Sequence, residues 1–221
     1  MSTPTRPIVV SLARPLMQMA TPVPIAASQL QISPGRPVLI ESNGFVLRSL
    51  TPGDADLRML SWLSNEQMMQ GLNLASLDFD LDQLRGFIGR FDNFRSYFIG
   101  IFAKSDGLLI GFYTIDVDLK HRIGQVTTGI GESRYEGKGT LWATFGALLS
   151  HFYAERNIEK FSAHILARNF RMLFNFRNNP LFIFEACLQQ ECLAPNGERL
   201  DILVFSSFKN PRASDMKRPS T

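Results

Sequence analysis

The stretch that decides the fold is residues 132–152, ESRYEGKGTLWATFGALLSHF. Its second half places apolar residues at the spacing of one helical face: Leu141, Phe145, Leu148, Leu149 and Phe152. That spacing predicts an amphipathic helix that ends near Arg156. Gly137 and Gly139 precede the helix. A helix start carries unpaired backbone amides and the positive end of the helix dipole, so a glycine loop there can hold a phosphate. By itself, the pattern more often marks an ordinary turn.

The segments around this helix predict a sheet. Residues 123–133, IGQVTTGIGES, precede the helix as a strand, and residues 160–166, KFSAHIL, follow it as another. A strand, a helix and a strand joined by short connections predict a right-handed parallel crossover. Earlier in the chain, YFIGIFAK (residues 97–104) and LLIGFYTIDVD (residues 108–118) flank a glycine turn, which favours an antiparallel pair.

The two ends of this region extend the pattern. Near the start, residues 45–50 alternate like a strand, and a helix is predicted from Pro52, with Thr51 as its N-cap and Asp54 completing a capping box. A second helix is predicted after Asp80. Near the end, two apolar runs flank a turn at residues 195–198, which predicts a terminal hairpin. The class is therefore α/β.

Composition limits the functions that remain. The 221 residues are 45% hydrophobic and carry a net charge of +3 without a run of basic residues, so one folded domain is expected and nucleic acid is not an expected partner. No apolar run is long enough for a membrane helix, and two cysteines form neither a disulfide framework nor a metal site. We expect a cytoplasmic protein with a flexible extension at 1–40, a domain at 41–208 and a disordered tail at 209–221.

The order of these segments, together with YEGKGTLWATFGALLSHFYAERNIEKFSAHILARN (residues 135–169) and FIFEACLQQ (residues 182–190), resembles the GNAT family of acyl-CoA-dependent N-acyltransferases. The likeness covers about residues 43–208 and is closest to the branch of ribosomal-protein N-terminal acetyltransferases. It implies a mixed sheet of six to seven strands with about four helices. In that fold, two parallel strands splay apart to form the acyl-CoA cleft. It also implies acetyl-CoA as co-substrate and a small-molecule or peptide amine as acceptor. We expect a monomer or homodimer.

The resemblance places the coenzyme A loop in one of two registers. In that family the loop reads Gln/Arg-x-x-Gly-x-Gly/Ala. Residues 134–139 match this pattern letter by letter, but residues 136–141 keep Asn169 aligned without a gap, and we prefer this second register. It implies these cofactor contacts: Gly129, Ile130, Gly131, Tyr135, Glu136, Gly137, Lys138, Gly139, Thr140, Leu141 and Asn169. Glu136 and Leu141 depart from the pattern. Both are expected to weaken the site, because a carboxylate repels pyrophosphate unless it turns away and a leucine adds bulk near the loop.

No catalytic acid or base transfers from the family by position. The strand before the loop lacks the usual glutamate, and Phe176 or Arg177 stands where a tyrosine is common. Asp116 and Glu132 are the remaining candidates, since both lie at strand ends. Two hypotheses therefore stay open: an N-acyltransferase that relies on positioning of its substrates, or a catalytically degenerate GNAT-fold module that binds a ligand or partner.

Overall fold

A computed structural model of the chain describes residues 35–74 and 77–212. Within these residues the strands are Leu39–Ser42 (β1), Phe45–Ser49 (β2), Ser96–Ala103 (β3), Leu109–Asp118 (β4), Ile123–Ile130 (β5), Lys160–Leu166 (β6), Ile183–Leu193 (β7) and Arg199–Phe208 (β8). The helices are Leu57–Leu63 (α1), Glu66–Gly71 (α2), Leu81–Ile88 (α3), Thr140–Glu155 (α4) and Phe170–Arg177 (α5). No helix among these residues has the length and apolar character needed to span a membrane.

The strands form one mixed sheet in the order β1-β2-β3-β4-β5-β6-β8-β7. Only β5 and β6 are parallel, and α4 connects them, as the sequence predicts. The predicted α/β class and the two antiparallel hairpins are also confirmed. The sheet has one strand more than expected, because β1 is only four residues long and too short for an alternating pattern. Helix α2 is likewise additional: it has six residues and lies close behind α1.

The start of α1 differs from the prediction. Thr51, Pro52 and Asp54 form a single 3-10 turn, with the Thr51 amide donating to the Asp54 carboxylate at 2.7 Å. The chain then extends through Ala55, and the helix is capped by Asp56, whose carboxylate accepts a hydrogen bond from the Met59 amide at 2.7 Å. The predicted capping box therefore forms around the 3-10 turn and not at the start of α1. Arg48 forms an ion pair with Asp54, which lowers the pKa of that carboxyl to about 2.

The core lies on both faces of the sheet. On one face, α4 and α5 cover a large apolar cluster centred on Tyr113, Phe145 and Phe161. On the other face, α1, α2 and α3 pack against β3 and β4 through a second cluster. Much of the inner face of α4 is therefore fixed by packing, and so is the position of its N-terminus.

The structure describes ordered chain from residue 35, and β1 begins at Leu39, two residues before the predicted domain boundary. Val38 is already buried. The rest of the predicted extension, residues 1–34, and most of the predicted tail, residues 213–221, lie outside the described residues.

Candidate active site

A cleft opens between β5 and β6. The two strands pair only from Ile123 to Gln125 on β5, opposite Lys160 to Ser162 on β6, and no pairing follows. The strands therefore separate toward their carboxyl ends. The cleft has a volume of about 290 Å³. Its walls come from β5, β6, the first turns of α5 and the end of α2, and they include Thr128, His164, Asn169 and Asn73.

The β5 edge supplies backbone donors to this cleft. The Gly131 amide donates to the Ile110 carbonyl of β4 at 2.9 Å. Since amides in an antiparallel ladder alternate in direction, those of Thr128 and Ile130 point away from β4, toward the opening. Of the amides predicted to contact the cofactor, that of Ile130 therefore faces the opening together with that of Thr128, while those of Gly129 and Gly131 face β4.

The absence of a side chain at positions 129 and 131 lets neighbouring helices pack closely against β5. A Cβ atom on Gly131 would lie 2.0 Å from the Trp62 ring, and one on Gly129 would lie 2.5 Å from the Met68 methyl group. Both partners come from the helices that cover the end of β5. The sequence pattern indicates a close approach to the backbone of β5, and side chains of α1 and α2 make such an approach in the structure.

The glycine loop leads directly into the first turn of α4. Gly137 has φ of 67° and Gly139 has φ of 75°, which is the left-handed conformation that favours glycine. Gly139 is the N-cap, and the first intrahelical hydrogen bond runs from the Ala143 amide to the Gly139 carbonyl at 2.9 Å. The amides of residues 140–142 consequently have no acceptor within the helix. These donors and the helix dipole make the loop suited to phosphate.

Three of the predicted loop residues shape the loop with their side chains. Tyr135 packs its ring edge-on against Phe45, with centroids 6.4 Å apart. Thr140 is buried, and its hydroxyl donates to the Tyr135 carbonyl at 3.4 Å. Leu141 is also buried in the core beneath α4. The leucine side chain points away from the loop surface, so the bulk expected there is absent.

Glu136 is turned toward α5. Its carboxylate accepts a hydrogen bond from the Arg171 guanidinium at 2.9 Å. The ion pair offsets the negative charge that would repel a phosphate. Lys138, between the two glycines, is exposed and adds a positive charge at the loop.

Asn169 lies at the mouth of the cleft with both ends of its side chain engaged. Its Oδ1 caps α5 by accepting from the Met172 amide at 3.1 Å, and its Nδ2 donates to the Gly71 carbonyl at 3.1 Å. In this state it joins α5 to the end of α2. A ligand amide would have to replace Gly71 as its partner.

A row of polar side chains crosses the sheet where the cleft begins. The pairing register places Ser96, Asp116, Gln125, Ser162 and Ser206 opposite one another on five neighbouring strands. Directly opposed residues share a face of the sheet, so this row faces one side. The sequence places most of these residues between apolar neighbours, but it gives no register, and the row was therefore missed.

Asp116 is the one acid of this row. It lines a second cavity of about 410 Å³ together with Ser96 and Gln125, and Gln125 also lines the cleft. Its carboxylate has no hydrogen-bond or ion-pair partner within the part of the chain that is described. Removal of surrounding water raises the pKa of the Asp116 carboxyl. The other candidate, Glu132, lies 3.9 Å from the Arg58 guanidinium, which counters its charge.

Comparison with solved structures gives the same fold at low sequence identity. Spermidine N-acetyltransferase from Vibrio cholerae, in complex with CoA and spermine, is 18% identical, with a TM-score of 0.67 over 78% of this chain and 98% of that one. Ribosomal-protein-S5-alanine acetyltransferase from Vibrio fischeri is 15% identical, with a TM-score of 0.68 over 78% of this chain and 97% of the other. An acetyltransferase from Salmonella typhimurium that modifies the N-terminal serine of ribosomal protein L7/L12 is 17% identical. Its TM-score is 0.67, over 78% of this chain and 100% of that one.

Sequence comparison identifies the family. Among curated proteins, none matches the chain significantly. The family model described as "Acetyltransferase (GNAT) domain" matches residues 45–173, which is more than half of the chain and runs from β2 into α5. The splayed parallel strands and the glycine-capped helix lie within that match, and the chain belongs to the GNAT family of acetyltransferases.

Proposed function

We propose that this chain transfers an acetyl or related acyl group from acyl-CoA to a primary amine, and that the cleft between β5 and β6 is where both substrates meet. The observation that carries the proposal is the arrangement along this cleft. The N-terminus of α4 supplies phosphate donors at one end, and the row containing Asp116 and Gln125 lies where the strands begin to separate.

The donor substrate would lie along the β5 edge. The pyrophosphate would accept hydrogen bonds from the amides of residues 140–142, near Gly137, Lys138 and Gly139. Asn169 would exchange Gly71 for the pantetheine arm. The amides of Thr128 and Ile130 would then be available to the pantetheine amides and to the thioester oxygen, where negative charge develops during attack.

The acceptor would enter from the side of the polar row. A protonated amine is attracted by the unpaired Asp116 carboxylate, and attack requires the neutral amine. The nitrogen forms a bond to the acyl carbon as the carbon–sulfur bond breaks, and the electron pair of that bond leaves with the thiolate. The bound ammonium first loses one proton to water, and after attack the nitrogen loses a second to Asp116 or to water. The thiolate takes a proton from solvent. Positioning of the two substrates supplies much of the rate, which suits a site without a tyrosine acid.

A degenerate binding module is the second candidate. The observation that favours it is the position where the family commonly has tyrosine, which falls on Phe176, a buried residue, or on Arg177. The two loop departures no longer support it, because Glu136 is paired with Arg171 and the Leu141 side chain is buried.

Release of free thiol from acetyl-CoA tests the proposal. The panel of acceptors should contain spermidine, peptides with N-terminal serine or alanine, aminoglycosides and amino sugars. We expect thiol release that depends on at least one amine. Tight binding of acetyl-CoA without turnover of any amine would favour the binding module.

We predict that Asp116→Asn raises KM for the amine by about tenfold while leaving KM for acetyl-CoA unchanged, since hydrogen bonds to a charged group contribute more than neutral ones. Steady-state kinetics with each substrate varied in turn measures this split. The matched control is Asp118→Asn, two residues along the same strand, because the Asp118 carboxylate already accepts from the His121 amide at 2.9 Å. An equal change in both variants would contradict a specific role for Asp116.

We also propose that the protein works in the cytoplasm. Cys187 and Cys192 are free thiols, which fits a reducing cytoplasm. Whether the chain acts as a monomer or homodimer stays a prediction, as does the choice between a small molecule and a peptide as acceptor.

A further inference from the structure

The cavity beside the cleft carries two opposite charges that do not pair with each other. It has a volume of about 410 Å³, and its wall includes Arg95, which immediately precedes β3, and Asp116 on β4. Among residues 35–74 and 77–212, neither the Arg95 guanidinium nor the Asp116 carboxylate has a hydrogen-bond or ion-pair partner. Because the two charges stay separate, both are available to a ligand that enters the cavity.

The backbone around Arg95 is held by a network of hydrogen bonds. The Asp92 carboxylate accepts from the amides of Phe94 and Arg95 at 2.8 Å and from the amide of Ser96 at 2.9 Å. The Arg95 carbonyl accepts from the Val117 amide at 2.7 Å. The turn therefore fixes Arg95 next to the end of β4, and the nearby Asp92 carboxylate is engaged by backbone amides.

Gln125 connects this cavity to the cleft, because it lines both. It is the last residue of β5 that pairs with β6, and it lies directly opposite Asp116 on β4. An amine at Asp116 is therefore at the base of the cleft, and the rest of the same molecule can extend toward Arg95. The second acid in the wall, Asp118, already accepts a hydrogen bond from the His121 amide at 2.9 Å.

We propose that the acceptor is a small amine that also carries an anionic group, either a carboxylate or a phosphate. Asp116 holds the ammonium before it is deprotonated. Arg95 holds the anion, because a guanidinium binds carboxylate and phosphate through paired hydrogen bonds. A cavity of about 410 Å³ lies within the size range of small-molecule sites. A polyamine would instead bring a second cation close to Arg95, and like charges repel. This inference rests on the proposed function, because it takes Asp116 as the site of the acceptor amine.

Matched pairs of acceptors test this inference. γ-Aminobutyrate is compared with butylamine, and phosphoethanolamine with ethanolamine, so that the members of each pair differ mainly in the anion. We expect the wild-type protein to use the anionic member of at least one pair with a kcat/KM about tenfold higher, and the pair that shows this difference identifies the anion. Arg95→Gln should remove the preference, and Arg95→Glu should reverse it. Arg90→Gln is the matched control, because Arg90 is also exposed but lies outside the cavity wall.

Three outcomes would overturn the inference. They are an equal kcat/KM within both pairs in the wild-type protein, a preference that survives in Arg95→Gln, and turnover confined to peptides. Failure of the proposed function looks different, since the wild-type protein would then release no thiol with any amine.

Binding of the same four compounds, followed by NMR titration, tests the cavity independently of turnover. Tighter binding of an anionic member, lost in Arg95→Gln, would support the anion site at Arg95, and equal binding within both pairs would exclude it. Melting temperatures of the variants separate loss of binding from loss of folding.

Discussion

Replacing Gly139 with valine should abolish measurable binding of acetyl-CoA. Gly139 is the N-cap of α4 with φ of 75°, and a side chain with a branched Cβ strains this conformation. The new side chain would also occupy the open space in front of the loop, where no atom now lies within 4 Å of the Cβ position. The loss of the helix-start amides as phosphate donors should weaken affinity by at least about a hundredfold, since several charge-assisted hydrogen bonds disappear together.

Calorimetric titration of both proteins measures this loss. Gly146→Ala is the matched control within the same helix, because its new Cβ would meet only the Leu181 side chain at 3.8 Å. That variant should bind acetyl-CoA normally and gain about 0.5–1 kcal/mol in stability from the helix interior. Unchanged affinity of Gly139→Val would place the phosphate site elsewhere.

Replacing Phe145 with alanine should destabilise the protein by about 3–5 kcal/mol. Phe145 is fully buried and joins three parts of the fold. Its ring centroid lies 5.4 Å from that of Tyr113 on β4, 5.2 Å from Phe176 on α5 and 5.0 Å from Phe182 before β7. The side chain therefore fixes α4, and with it the phosphate loop, against the sheet and α5.

Urea denaturation followed by circular dichroism measures the change in the free energy of unfolding. Phe170→Ala serves as the control of equal size, because the exposed ring of Phe170 should contribute less than about 0.5 kcal/mol. A loss below about 1 kcal/mol for Phe145→Ala would mean that α4 is held mainly by its other contacts.

Much of the fold could be predicted because it is coded locally. The apolar spacing from Leu141 to Phe152 determines α4, and the strands on either side of it determine the parallel crossover. The start of α1 was predicted wrongly because Thr51, Pro52 and Asp54 satisfy a capping pattern in a single 3-10 turn. A short motif of this kind does not say how far the helix continues.

The site was less predictable, because it depends on contacts between distant residues. Glu136 looks unfavourable in the sequence, and its effect changes once Arg171, 35 positions away, is seen to pair with it. Gly129 and Gly131 indicate a close approach to the backbone, but the sequence does not say that Met68 and Trp62 are the side chains packed there. The row of Ser96, Asp116 and Gln125 exists only through strand register, which no single segment specifies.

The measurement that tests the central claim most directly is calorimetric titration of acetyl-CoA into the full chain. One molecule of acetyl-CoA should bind per cleft, and the heat should disappear in Gly139→Val but persist in Gly146→Ala. No heat and no shift in melting temperature at millimolar acetyl-CoA would contradict the proposal that this cleft holds acyl-CoA.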